Sequence, residues 1–153
     1  LDGFNGTKRR FEKIGIKKGA VIVDDYAHHP TEIQTTLEGA RRSYPGRRIR
    51  AIFQPHTYSR TEKLFYEFSR AFKDADEVVL AEIFSSAREK KSPKNSISSA
   101  ELAKLIQKWN KNTKYFPTLD EITNYLDQTL SEDDLVITLG AGDVYKVGQT
   151  LVS

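Results

Sequence analysis

Residues 21–33 read Val-Ile-Val-Asp-Asp-Tyr-Ala-His-His-Pro-Thr-Glu-Ile, and they restrict the fold more than any other stretch of the chain. Three β-branched residues stopping on two acids predict a short buried strand that has reached its carboxyl end. Pro30 suits the first helical position, and Glu32 falls in the first turn, where the helix dipole favours an acid. A strand that passes into a helix through a polar turn is the unit from which parallel, helix-covered sheets are built. Ligands of open α/β sheets bind just beyond the carboxyl ends of strands. The turn, with Tyr26 and two of the chain's 3 histidines, is a site candidate by position.

The remaining 140 or so residues repeat the pattern. Residues 1–8 have the glycines and small polar residues of a linker. Arg9–Ile16 alternates as a half-exposed strand, and Lys17-Lys18-Gly19 predicts a hairpin back into the opening strand. Ile33, Leu37, Ala40 and Tyr44 share one helix face, which Pro45-Gly46 ends. Strand Arg48–Phe53 closes on Gln54-Pro55-His56, and a capping box Ser59-Arg60-Thr61-Glu62 opens a helix through Leu64, Phe65, Phe68, Ala71 and Phe72. Strand Glu77–Phe84 and a polar loop to Ser96 follow. Further capping boxes at Ser98–Glu101 and Thr118–Glu121 precede the stripes Leu102, Leu105, Ile106, Trp109 and Ile122, Tyr125, Leu126, Leu130, with a short strand at 114–116 between them. Strand Leu135–Leu139 leads through Gly140-Ala141-Gly142-Asp143 into a closing segment, Val144–Val152. The expectation is a single α/β domain over residues 1–153, Rossmann-like, with a mainly parallel sheet of about six strands flanked by helices.

Composition narrows the class. A hydrophobic fraction of 38% and a charged fraction of 29% are those of an ordinary globule, and no apolar run approaches a membrane span. With 0 cysteines there is no disulfide framework, which suits the cytoplasm. The net charge of +3 reads as a solvated surface. Arg41, Arg42, Arg47, Arg48 and Arg50 flank a helix–strand turn without an aromatic stacking pattern, so nucleic acid is rejected as partner. The chain has 0 methionines and begins at Leu1, so it is expected to be a piece of a longer protein.

Four polar clusters follow predicted strands: Asp24–His29, Gln54–Arg60, Ser85–Glu89 and Gly140–Asp143. A parallel sheet brings all four to one edge. Asp24 and Asp25 suit either turn capping or the hydroxyls of a ribose. A metal site from His28, His29, His56 and these acids lacks a ligand spacing, and adjacent histidines do not easily share one ion, so no metal ligands are assigned. Arg60 suits a carboxylate, and Arg9 and Arg10 suit phosphate or a solvated edge. Gly140-Ala141-Gly142 lacks the third glycine of a dinucleotide loop but permits a close backbone approach to a ligand. No Gly-x-x-x-x-Gly-Lys-Ser/Thr loop occurs, so the residues alone lead to a ligand-binding domain that cannot cradle ATP phosphates by itself.

Asp24-Asp25-Tyr26-Ala27-His28-His29-Pro30-Thr31-Glu32 resembles a signature of the Mur ligase family, in its C-terminal domain, and within it the branch that joins L-alanine to UDP-N-acetylmuramate. Arg9–Glu12, Gln54–Thr61, Ala87-Arg88-Glu89 and Gly140–Gly148 agree in order, so the resemblance covers nearly the whole chain. It implies a three-domain, cytoplasmic ligase of peptidoglycan precursor synthesis. The N-terminal domain binds the UDP-sugar, the central domain carries ATP and most of the hold on Mg2+, and the C-terminal domain closes over both. ATP converts the muramoyl carboxylate to an acyl phosphate, which the alanine amine attacks. Arg10 is then expected at ATP phosphate or ribose, Asp25 at ribose hydroxyls, and Tyr26 at the nucleotide. His28, His56 and Arg60 are expected, with Tyr26, to line the nucleotide and amino-acid region as substrate-binding residues, Arg60 on the alanine carboxylate, with the Arg88-Glu89 loop and Asp143 edging the same pocket and none of them assigned a catalytic role. The chain departs from the family at Thr57, where arginine is frequent. The ligase that recycles murein tripeptide shares Asp-Asp-x-Ala-His-His-Pro but usually has Phe where Tyr26 stands, and it departs from the 54–61 segment. A nucleotide-binding module without chemistry is the alternative of a different class.

Overall fold

In the computed structural model, which describes residues 9–85 and 97–153, one sheet of six strands carries the chain. The strands are β1 (Glu12–Lys17), β2 (Ala20–Asp25), β3 (Arg48–Phe53), β4 (Glu77–Leu80), β5 (Thr113–Tyr115) and β6 (Asp134–Leu139), in the order β1-β2-β6-β3-β4-β5. β1 is antiparallel to β2, and every other pairing is parallel. The expected hairpin forms because Lys18 (φ 53°) and Gly19 (φ 82°) both take the left-handed backbone that matches strand twist in a two-residue turn.

Alternate residues of each strand point to opposite faces, and both faces are covered. Val21, Val23, Ile49, Ala51, Phe53, Leu135 and Ile137 pack with Ile33 and Leu37 of α1 (Pro30–Ser43), Phe68 of α3 (Phe65–Ser69) and Leu102 of α4 (Ser99–Ile106). Ile22, Ile52 and Val136 pack with Ile122 and Leu126 of α5 (Leu119–Thr129) and with Val147 and Leu151 of α6 (Tyr145–Val152). No helix among the described residues is long and apolar enough to cross a membrane.

Several boundaries differ from the sequence expectation. β1 begins at Glu12 rather than Arg9, because Phe11 turns the backbone at φ 47°. β4 ends at Leu80; Phe84 rejoins the sheet only through a single bridge to His56. The helix expected from Ser59 begins instead at α2 (Tyr58–Lys63), capped by Thr57, and breaks at Leu64 before α3. Trp109 lies beyond the end of α4, 57% exposed, with the Arg70 guanidinium 4.9 Å from its ring, and is no part of the core stripe. The linker expected at residues 1–8 and the loop from 86 to 96 lie outside the described residues.

At the amino-terminal end of the sheet lies an ionic cluster. Arg50 is buried, with its guanidinium 2.6 Å from Glu77 and 3.0 Å from Asp134. Arg48 reaches Asp134 at 2.7 Å, Lys114 reaches Glu77 at 3.1 Å, and the Tyr125 hydroxyl donates to Glu77. Burial alone would raise the Glu77 and Asp134 carboxyls. The Tyr125 hydroxyl and Arg50 at Glu77, and Arg48 and Arg50 at Asp134, instead hold both below their ordinary values.

Candidate functional site

The opposite, carboxyl-terminal edge of the sheet collects the polar turns after β2, β3, β4 and β6. Backbone bonds fix them in a row: Gly140 N–H donates to Asp25 O (3.2 Å), Gln54 N–H to Leu139 O (3.1 Å), and Thr57 N–H to Phe84 O (2.7 Å). Three of the four predicted clusters therefore share one edge. The fourth is represented there by Ser85 and its neighbour Phe84, while Arg88 and Glu89 lie outside the described residues.

The turn after β2 is built by its own acids. Asp25 accepts from the N–H groups of Phe11 (2.9 Å) and Ala27 (2.8 Å), so one carboxylate holds both the entering chain and the turn. Burial outweighs these bonds and raises the Asp25 carboxyl above its ordinary value. His29 caps α1 by accepting from Thr31 N–H, while Glu32 accepts from the N–H groups of His28 and His29. Burial opposes the Glu32 charge, but these N–H groups and the two imidazoles hold its carboxyl below the usual value. His28 Nδ1 lies 3.0 Å from the Tyr26 carbonyl. A carbonyl only accepts, so Nδ1–H is the donor in this contact.

A concavity of about 270 Å³ opens over this turn, lined by Arg10, Asp25, Tyr26, Glu32 and Thr36 among others. Arg10 is exposed and lines this space; Tyr26 is 38% exposed. From Tyr26 a row of rings crosses the edge: Tyr26 to His28 5.3 Å edge-on, His28 to His56 6.4 Å, and His56 stacked on Phe84 at 5.4 Å. A second concavity is lined by His29, Thr57, Ser59, Arg60, Lys63 and Leu64, with two cations and no acid, a setting for an anionic group. Thr57 sits there at φ 64°, an unusual conformation for a β-branched residue, while its hydroxyl accepts from Arg60 N–H (3.3 Å). The arrangement brings Arg10, Asp25 and Tyr26 together and sets Arg60 in a different hollow, with His28 and His56 in the ring row.

Asp143 and the glycine loop have a local role that was not expected. Gln54 Nε2 donates to Asp143 (2.7 Å), and a Cβ on Gly142 would stand 2.5 Å from Gln54 Oε1 and 2.7 Å from Phe84 Cγ. The close approach that these glycines permit within the chain is to Gln54 and Phe84. Gly142→Ala should therefore destabilise the chain by about 1–3 kcal/mol, the cost of overpacking, measured by urea unfolding; an unchanged midpoint would contradict this packing. Arg9, expected at phosphate or a solvated edge, is turned inward onto Asp24, at 2.9 Å. Among the described residues no three His, Asp or Glu side chains gather closely enough to hold a metal ion.

Comparison with known proteins agrees with the fold. The family model described as Mur ligase, glutamate ligase domain, matches residues 9–142. The chain is 66% identical over 152 residues to the UDP-N-acetylmuramate–L-alanine ligase of Desulfitobacterium hafniense, covering 99% of this chain and 33% of that protein. It is 46% identical over 153 residues to the ligase of the same name from Clostridium acetobutylicum, covering 100% of this chain and 32% of that one. The chain thus spans about a third of the length of the curated relatives it matches. Among solved structures, the UDP-N-acetylmuramate-alanine ligase of Thermotoga maritima superposes with a TM-score of 0.75 at 26% identity, over 94% of this chain and 29% of that one. A murein peptide ligase of Psychrobacter arcticus shares the fold, with a TM-score of 0.73 at 24% identity over 95% of this chain and 29% of that one.

Proposed function

The chain belongs to the Mur ligase family through its glutamate ligase domain, and from that premise we propose that it is the C-terminal domain of an ATP-dependent ligase joining L-alanine to UDP-N-acetylmuramate. The observation that carries the reading is the 66% identity to a protein of that name over 99% of this chain. The site supports it chemically, with two separated cationic hollows on one sheet edge, one beside Asp25 and Tyr26 and one around Arg60.

The fit to a nucleotide rests on Arg10, Asp25 and Tyr26, which line one concavity with a cation, a carboxylate and a ring. ATP supplies the phosphoryl group that activates the muramoyl carboxylate, with Mg2+ held mainly by the central domain. Arg10 meets phosphate or ribose, and Asp25 offers its remaining lone pairs to ribose hydroxyls while its N–H bonds keep the carboxylate aimed. Arg60 pairs with the alanine carboxylate and so points the amine toward the activated carbon, an orienting effect that lowers the barrier by fixing geometry. His28, His56 and Asp143 edge the amino-acid region, and Arg88 is assigned there by motif alone. Closure of this domain over the other two excludes water from the acyl phosphate.

The test is acceptor choice by the longer protein that contains this chain. With ATP and UDP-N-acetylmuramate it should form the alanine amide and release one ADP per product. Preference for a murein tripeptide over alanine would move the assignment to the recycling ligase, and no product with either acceptor would leave only a nucleotide-binding module.

A further inference from the structure

We infer that Arg9 is a positioning residue for the nucleotide side of the site, acting through Tyr26 and Arg10; this rests on the reading of that concavity given above. The guanidinium of Arg9 uses every one of its nitrogens. Nε donates to Asp24 (2.9 Å), Nη2 to the Gly140 carbonyl (2.8 Å) and Nη1 to the Gly142 carbonyl (3.4 Å). The guanidinium also lies over two rings, 5.0 Å from the centre of Tyr26 and 4.8 Å from that of Tyr145. Asp24 is buried and takes a further bond from the Thr138 hydroxyl (2.6 Å), so the anchor is itself fixed within the sheet.

The backbone completes the strap. The Arg9 carbonyl accepts from Tyr26 N–H, and Phe11 N–H donates to Asp25 (2.9 Å). Phe11 turns its ring toward Tyr44, 6.1 Å away, against the α1 side of the core. Residues 9 and 11 are therefore both held in place, and Arg10 between them lines the concavity together with Phe11, Asp25 and Tyr26. Tyr26, exposed at 38%, has Arg9 over one face and the His28 edge beside it, which leaves its ring little freedom to turn. A planar fork matches two carbonyls and a carboxylate at once; an ammonium reaches the carboxylate but cannot hold the rest.

In the longer protein, Arg9→Lys keeps the charge beside Asp24 and should raise the KM for ATP about tenfold, the weight of one charge-assisted hydrogen bond. The KM for alanine should stay within about twofold. Tyr145→Leu, outside the concavity, removes one cation–ring contact and should raise the ATP KM about threefold. A merely structural role would lower the folded fraction and hence the apparent kcat, leaving both KM values in place. Parallel rises in both KM values, or no rise in the ATP KM for either variant, would overturn the inference. Arg10→Ala is measured alongside. If it raises the ATP KM while Arg9→Lys does not, only the positioning role falls. If neither moves it, the nucleotide reading falls and the positioning role with it.

Discussion

Arg50→Ala should lower the stability of this domain by about 3 kcal/mol, because it strands two carboxylates in the interior. Glu77 and Asp134 are 2% and 0% exposed, and Arg50 bonds to both. Removing one member of a buried ionic cluster typically costs about 3–5 kcal/mol. The lower end applies here, since Lys114 still reaches Glu77 and Arg48 still reaches Asp134. For a domain of this size the loss corresponds to a Tm lower by roughly 6–12 °C. The effect should depend on pH in a stated direction. Both carboxyls are held below their ordinary values in the fold, so the stability they contribute is present above those ordinary values. It is lost as the pH falls through the depressed ones. The gap between wild type and Arg50→Ala should therefore narrow in acid, and a gap independent of pH would contradict the assignment. Asp25 has the opposite sign. Its raised carboxyl contributes stability that is full below the ordinary aspartate value and lost as the pH rises through the raised one.

Arg60→Ala in the longer protein should raise the KM for alanine by about 10- to 150-fold, the loss of a charged hydrogen-bonded contact worth roughly 1.5–3 kcal/mol. The KM for ATP should be nearly unchanged, since Arg60 lines a different hollow from Arg10 and Asp25. Thr57 stands where the family often has a second arginine, so the remaining cation in that hollow is Lys63, one helical turn onward. A single ammonium cannot replace a bidentate fork. Equal rises in the KM values of both substrates would sink the role given to Arg60.

The sequence made the sheet and its ligand edge legible because both follow from local signals. Val21–Asp25 ends on acids, Pro30 and Glu32 start α1, and three further strands end on Gly, Gln or polar turns. What it hid depends on contacts across the chain. Arg50, Glu77 and Asp134 each read as a charged residue at the start of an apolar strand; only the register, with Arg50 opposite Glu77 and Arg48 opposite Asp134, joins them. The repeated placement of charges at strand starts is the signal that could have found the cluster. Ser59 looked like a helix cap because it fits the local pattern, whereas Thr57 takes that place through a positive φ that sequence spacing does not encode. Arg9 and Arg10 are adjacent and chemically identical, yet one turns inward and the other outward, because Asp24 and two loop carbonyls complement only Arg9.

The central claim is that this chain holds half of a ligase site and depends on a phosphate-binding partner domain for chemistry. It is tested most directly by measuring ADP release from this chain alone and from the longer protein containing it. The account predicts no ATP turnover by the chain alone, and release by the longer protein that requires both UDP-N-acetylmuramate and L-alanine. ATP hydrolysis by the purified chain, or release by the longer protein that ignores alanine, would contradict it.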